Sequence, residues 1–322
     1  MAAFNEPPAW VADAVLYQIF PDRFARSPRL EKPNGLEHWD SPPTHHGYKG
    51  GDLLGIAERL DYLSDLGITA LYLNPIFRSA SNHRYHTHDY YQVDPLLGGN
   101  EAFVEFLDAC HERGIRVVLD GVFNHVGATS PWFQEAMANP DSSWREWFYI
   151  GDEYKHGYRA WVNVKNLPEI NLDNPKVRGR IWGDEDSVVR TFLRDGADGW
   201  RLDVAFDIGF QYLAELTQAA HETKPGSLII GEIWNYPEEW SPSCDAVINF
   251  YTRQIILHLA HDEVSGAQAG RMIDRQIADA GLEPILKSWI VLDNHDTERL
   301  PELLPEKWQR RLAQALQFTV PG

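Results

Sequence analysis

The feature that most constrains this chain is an alternation. Short runs rich in β-branched and aromatic residues recur along it, separated by longer amphipathic stretches, which is the pattern of repeated βα units around a parallel sheet. Eight runs qualify as strands: VLYQIF (15–20), ALYLNPI (70–76), RVVLDGV (116–122), GWRLDVA (199–205), SLIIGEI (227–233), AVINF (246–250), WIVLDN (289–294) and QFTV (317–320). Eight is the number that closes a (β/α)8, or TIM, barrel. Between them, GIAERLDYLSDLG (55–67) and NEAFVEFLDACHERG (100–114) carry helical periodicity and end at glycine, as helix C-termini prefer. The expected fold is therefore α/β, a barrel built from residues 1–125 and 171–322. Residues 126–170 break the rhythm with tryptophans, glycines and prolines and read as a small inserted domain after the third strand, forming a wall of the active site. The chain stops at the end of the eighth expected strand with no eighth helix behind it, so the barrel reads as C-terminally truncated.

Composition removes whole classes of partner. With 29 Lys+Arg against 47 Asp+Glu and a formal charge of −18, the chain repels phosphate backbones and anionic lipid surfaces. No nucleic-acid or membrane partner is expected. The start, MAAFNEPPAWVADAV, lacks a basic segment followed by an apolar one, and no run reaches the roughly 18 apolar residues of a membrane span. A cytoplasmic location is expected. Cys110 and Cys244 lie far apart in sequence and read as buried thiols in a reducing compartment, neither a disulfide framework nor a metal cluster.

The carboxyl ends of the strands of a parallel barrel converge on one mouth, where chemistry collects. Asp120 ends RVVL, Asp203 follows GWRL, Glu232 follows SLIIG and Asp296 lies just past WIVLDNH. Four expected strands thus each deliver a carboxylate near the same end. Arg201 and Asp203 alternate onto one face, and an adjacent guanidinium keeps a partly desolvated carboxylate ionised, hence nucleophilic. By itself the pair would read as an interior salt bridge; four acids at four strand ends favour chemistry. Glu232, between LIIG and the aromatic Trp234, sits in an apolar setting that favours a protonated general acid. Two carboxyls with opposed protonation are what cleavage of a glycosidic bond requires. His125 and His295, beside Asn124 and Asp296, are placed to donate hydrogen bonds to sugar hydroxyls as neutral imidazoles. No His-x-x-x-His or similar spacing joins them to the acids, so no catalytic metal is expected. The 12 Trp, 13 Tyr and 14 Phe supply flat apolar faces with polar edges for a pyranose. Tyr85, in SNHRYHTHDYY (81–91), a stretch too polar for an interior, is the foremost aromatic candidate, and Trp234 is a second.

These motifs resemble those of the α-amylase superfamily, glycoside hydrolase family 13, over essentially the whole chain. DGVFNH (120–125), GWRLDVA, GEIW (231–234) and LDNHD (292–296) resemble its four signature regions, in order, and LPEIN (167–171) resembles a fifth. The resemblance implies a retaining double displacement on α-1,4-linked glucans, with Asp203 as nucleophile, Glu232 as acid/base and Asp296 as the residue that clamps sugar hydroxyls. It further implies that Arg201 orients Asp203, that Asp120 holds Arg201, that His125 and His295 contact the reacting sugar, and that Tyr85 is its stacking platform with His83 nearby. WVADAVLYQIFPDRFARS (10–27) and SNHRYHTHDYYQVDP (81–95) are similar to the cyclomaltodextrinase, neopullulanase and maltogenic amylase group, which implies short or cyclic α-glucans as substrates. A transglycosylase or isomerase of trehalose synthase or glucanotransferase type, and a sugar-binding barrel without activity, are the alternatives.

Three departures from that group stand out. The chain starts directly at the barrel, where those proteins carry an N-terminal β-domain that helps form a dimer, so the oligomeric state is left open. Phe206 and Asp207 replace the usual Asn-Glu after the nucleophile motif. RSPRLEKPNG offers few oxygen ligands to the group's calcium loop beyond Asn34, leaving Asp22 and Asp52 as nearby carboxylates. Ca2+ is thus a possible ligand and no cofactor is required.

Overall fold

A computed structural model of the protein describes residues 8–238, 240 and 243–322. Residues 1–7, part of the stretch read for a leader, lie outside that range. The chain divides into two compact units, one of Ala14–Asp203 with Ala219–Ser227 and one of Met1–Asp13, Val204–Gln218 and Leu228–Gly322.

The first unit is built on four parallel strands, β1 (Leu16–Ile19), β2 (Ala70–Leu73), β5 (Arg116–Gly121) and β6 (Gly199–Leu202), paired in that order. β2 and β6 are buried at every residue and β5 from its second residue onward, as strands covered on both faces must be. The helix Gly99–Glu112 buries Ala102, Phe103, Phe106, Leu107 and Cys110, a single stripe at helical spacing. Gly114 follows it at φ +70, a left-handed conformation that costs glycine nothing. Aromatic rings fill much of the core: Phe77 meets Phe192 at 4.9 Å, and Phe123 meets Trp200 at 5.3 Å. Trp200 precedes Arg201 on β6, so the alternation that buries its indole among these rings turns the guanidinium to the opposite face.

Two readings of this unit need correction. SNHRYHTHDYY is not a surface loop: β3 (Phe77–Ser79) and β4 (Thr87–Val93) form an antiparallel hairpin around it. Arg84 within it is buried, its charge matched by Asp94 at 2.7 Å and its Nη1 donating to the Asn82 carbonyl at 2.8 Å, so polarity there is internally satisfied. GWRLDVA remains a strand only to Leu202; the helix Ala205–Ile208 begins within the motif. Residues 126–170 contain the helix Pro131–Ala138 and two 3-10 turns, Ser143–Trp147 and Trp161–Asn163, tied by isolated bridges His125 to Glu169 and Phe148 to Ile170.

The second unit carries parallel strands β7 (Leu228–Ile233) and β8 (Ala246–Asn249). The expected strand WIVLDN is reduced to one bridge, Trp289 to Ile248. Beyond it side chains take the carbonyls that a ladder would use: Gln317 donates to Ile290 and Arg253 to Leu292. QFTV is not a strand either, so the chain does not end at strand 8. The helix Lys307–Gln317, started by a Glu306/Gln309 capping box, runs into it, and turns follow. Ala313, Leu316 and Val320 all pack on the cluster containing Ile256, Ile290 and Leu304; their spacing of three and four is a helical face, which overrides the β-propensity of a four-residue run. Both cysteines are free and buried; burial pushes the Cys110 thiol well above its usual range and the Cys244 thiol up to about 12.

Trp200, with no exposed surface, anchors the first unit's aromatic core. Trp200→Ala is expected to cost about 3–5 kcal/mol of unfolding free energy, read as a lowered urea midpoint at constant slope.

Candidate active site

The register of β5 and β6 sets Asp120 directly opposite Arg201. Arg201 Nη1 then donates to Asp120 Oδ1 at 2.8 Å and to Asp203 Oδ1 at 2.9 Å. Arg201 and Asp120 have side chains exposed by 1% and 0%, and Asp203 by 9%, so Asp203 is the open end of the group. Asp120 Oδ2 accepts from the hydroxyls of Tyr72 and, at 2.8 Å, Tyr85. Burial pushes the Asp120 carboxyl up, and Arg201 and the two phenols pull against that push. Burial also raises both phenols well above their usual range, which keeps them as donors. A hydrogen-bonded line crosses the strand ends: Gln18 donates to Asn74 at 3.0 Å, Asn74 to Tyr85 at 3.0 Å, and Tyr85 to Asp120. Two carboxylates around one guanidinium leave an excess of negative charge, suited to a cationic sugar transition state.

Burial favours the neutral form of His125 and His83. His125 Nε2 lies 3.9 Å from Asp203 Oδ2. Burial, with the neighbouring His86 and His83 adding to it, pushes its pKa down to about 3. His83 is pushed down to about 4, again chiefly by burial, and stacks on Tyr85 at 5.7 Å. Trp161 stacks on His125 at 5.6 Å, an aromatic neighbour of the site that no motif singled out.

In the second unit, Glu232 is 5% exposed on β7. Its Oε1 accepts from Trp234 Nε1 at 3.1 Å, and its Oε2 from the backbone amide of Val204 at 3.0 Å. Val204 follows Asp203 in the chain and is left-handed, at φ 41 and ψ 45, a conformation that strains a β-branched residue. Gly231 allows the helix Ala205–Ile208 to approach β7, since a Cβ there would stand 3.1 Å from that of Ala205. Trp234 is held flat on the buried Phe250 ring at 3.7 Å. His295 Nε2 lies 3.1 Å from Asp296 Oδ2, on a turn where the Asp296 amide donates to Asn294; Asp296 is 44% exposed.

The calcium-loop carboxylates are otherwise engaged. Asp22 accepts from the amides of Lys49 and Gly50 at 2.7 and 3.0 Å. Asp52 caps its helix through Gly55, and also accepts from Ser27 and pairs with Lys32. The Lys49 ammonium itself sits against the His38 and Ser41 carbonyls, both at 2.6 Å, and Ser41 Oγ at 2.7 Å. With Asn34 exposed, these residues do not fit a calcium site, because backbone amides take the Asp22 carboxylate and the Lys32 ammonium pairs with Asp52.

Residues 18–322 match the alpha amylase catalytic domain. The chain belongs to the α-amylase family. Among α-amylase-family relatives, it is 36% identical to a cyclomaltodextrinase of a Bacillus species over 98% of this chain and 58% of that protein. It is also 36% identical to neopullulanase 2 of Thermoactinomyces vulgaris, over 98% of this chain and 55% of that one. The chain therefore spans a little over half the length of these curated relatives. Cyclic α-maltosyl-(1→6)-maltose hydrolase from Arthrobacter globiformis, solved in complex with maltose, superposes with a TM-score of 0.91 at 35% identity, over 98% of this chain and 74% of that one. Membership and this likeness give the chain the family's TIM-barrel fold.

Within this α-amylase-family chain, the structure brings Asp120, Arg201, Asp203, His125, Tyr85 and His83 together in one unit, and Glu232, Trp234 and the pair His295–Asp296 belong to the other. Tyr72, Asn74 and Gln18 escaped the motif reading, although each is a polar group in or just past an apolar run, the same signal that marked the acids. The Val204 amide carries no side-chain signature at all. Depression of the His125 pKa has a sign that can be tested. Between pH 6.5 and 3 the unfolded chain binds a proton there that the folded chain refuses, so stability falls as pH drops through 6.5. At pH 5 this amounts to about 2 kcal/mol relative to pH 7, and His125→Gln is expected to remove that part of the loss in urea titrations at the two pH values.

Proposed function

We propose that the chain is the catalytic part of a retaining glycoside hydrolase that cleaves α-1,4-glucosidic bonds of maltooligosaccharides, cyclodextrins or related short α-glucans. Asp203 attacks the anomeric carbon; the glycosidic C–O bond breaks, and Glu232 gives its proton to the departing oxygen. Water then adds to the same carbon, passing a proton back to Glu232 and releasing the Asp203 carboxylate. Asp296, His295 and the neutral His125 hold sugar hydroxyls, with Tyr85, His83 and Trp234 as further substrate contacts. The observation that carries this reading is the single buried guanidinium shared by Asp120 and Asp203, which holds the nucleophile ionised and aimed while Asp120 remains enclosed. The family match over most of the chain supports the reaction class, and the names of the relatives support the substrate class.

Proton NMR of a maltooligosaccharide digest tests the stereochemistry: the α-anomer is expected first, and initial release of the β-anomer overturns the proposal. Asp203→Asn is expected to lower turnover by roughly four powers of ten or more, with maltose binding kept. The reaction needs no cofactor in this proposal. Incubation with a chelator is expected to leave both turnover and Tm unchanged, because Lys32 supplies the positive charge at Asp52.

A further inference from the structure

Arg84, in the first unit, combines two costs that a hairpin turn has no need of. Its backbone is left-handed, at φ 64, a conformation that strains a residue carrying a bulky side chain. Its guanidinium is buried, with 1% of the residue exposed, so it has to be paired to be tolerated. The pairing leads away from the strand ladder. Nε meets Asp94 Oδ2 at 2.7 Å and Nη1 donates to the Asn82 carbonyl at 2.8 Å, whereas β3 and β4 pair through Phe77, Arg78 and Ser79. Closing the hairpin therefore does not account for Arg84.

Both partners of the guanidinium are themselves fixed. Asp94 Oδ1 accepts from the Leu96 amide at 2.9 Å, and the Asp94 amide donates to the Ile76 carbonyl at 2.8 Å. Asn82 is buried too, and its Nδ2 donates to the Gly47 and His45 carbonyls at 2.7 and 3.2 Å. Arg84 is thus clamped between the residue that follows β4 and a turn tied to a distant segment of the same unit.

What the clamp holds is the pair of rings on either side of it. His83 and Tyr85 stack at 5.7 Å, and the Tyr85 amide donates to His83 Nδ1 at 3.2 Å, which joins the two across Arg84. Asn74 and Asp120 fix the hydroxyl end of Tyr85. Its backbone lies in the turn between β3 and β4, where the ladder does not reach, and the guanidinium supplies the missing constraint.

We infer that Arg84 is a positioning residue for the sugar site: anchored on Asp94 and Asn82, it holds the His83–Tyr85 pair where the two rings meet a glucose unit. The inference rests on the reading of Tyr85 and His83 as substrate contacts given above. Arg84 acts through its neighbours and touches no sugar itself. The left-handed backbone lets the guanidinium run inward to Asp94 while the flanking rings stay paired, which gives the strain a use.

The test is a coupling experiment on the full chain carrying Asp203→Asn, which the proposed mechanism leaves able to bind sugar. Maltotriose binding is followed by tryptophan fluorescence, because Kd does not depend on the fraction of protein that is folded. Arg84→Gln is introduced together with Asp94→Asn, so that no buried charge is stranded. With Tyr85 in place, this pair is expected to weaken maltotriose binding about three- to tenfold, the worth of one aromatic contact. In a Tyr85→Ala background it is expected to change Kd by less than about twofold, since residues that act through one another are not additive. Arg84→Lys keeps the buried charge and loses the planar fork; it is expected to show the same coupling at smaller magnitude, and it is the form of the experiment least disturbing to the fold. Equal losses in both Tyr85 backgrounds, or no loss in either, overturn the inference alone. If Tyr85→Ala by itself leaves maltotriose binding unchanged, the reading of Tyr85 as a substrate contact fails and this inference with it.

Discussion

A guanidinium buried between two carboxylates is the constraint from which the first unit is organised. Arg201 has no route to water, so both of its acidic partners must be in place for the charge to be tolerated. Asp120 is supplied by strand register and Asp203 by the chain itself, two residues on. Such a group contributes little net stability, since desolvation offsets most of the attraction. Its worth is positional: Asp120 is enclosed by Arg201, Tyr72 and Tyr85, while Asp203 stays at the open edge beside a histidine that burial keeps neutral. One carboxylate is spent on holding the arginine so that the other can face a substrate with a defined charge and direction.

Glu232 is held by different means. Its two oxygens take one side-chain donor, the Trp234 indole, and one backbone donor, the Val204 amide. The backbone donor is available because Val204 adopts a left-handed conformation that a β-branched residue resists, with the helix Ala205–Ile208 beginning immediately after it. Strain at the residue next to the proposed nucleophile is thus coupled to the placement of the proposed acid. The bare backbone of Gly231 lets that helix lie close against β7.

Much of this was legible in the sequence. Six of the eight strands stand where β-branched runs marked them, because buried parallel strands tolerate little else. The acids Asp120, Asp203 and Glu232 were visible as charges in otherwise apolar runs, the context in which a charge has to be explained. What misled was local propensity in short segments. WIVLDN and QFTV carry β-forming residues, but the first has its carbonyls taken by Arg253 and Gln317, and the second continues the helical stripe begun at Ala313. The stretch SNHRYHTHDYY was read as too polar for an interior because the partner of its Arg84, Asp94, lies across a hairpin that only strand pairing reveals. The polar line from Gln18 through Asn74 and Tyr85 to Asp120 likewise joins segments far apart in sequence.

By itself, the order of residues determined the α/β alternation, the net negative charge, and the identity of the residues that carry charge at strand ends. Those follow from properties each segment has alone: hydrophobic period, side-chain chemistry and net charge. Tertiary structure decided which carboxylate is enclosed and which is open, which amide reaches Glu232, and that an ammonium serves the loop where calcium was considered. Each of these depends on burial and on contacts between distant segments, and burial is a property of the folded chain that no single stretch of sequence possesses.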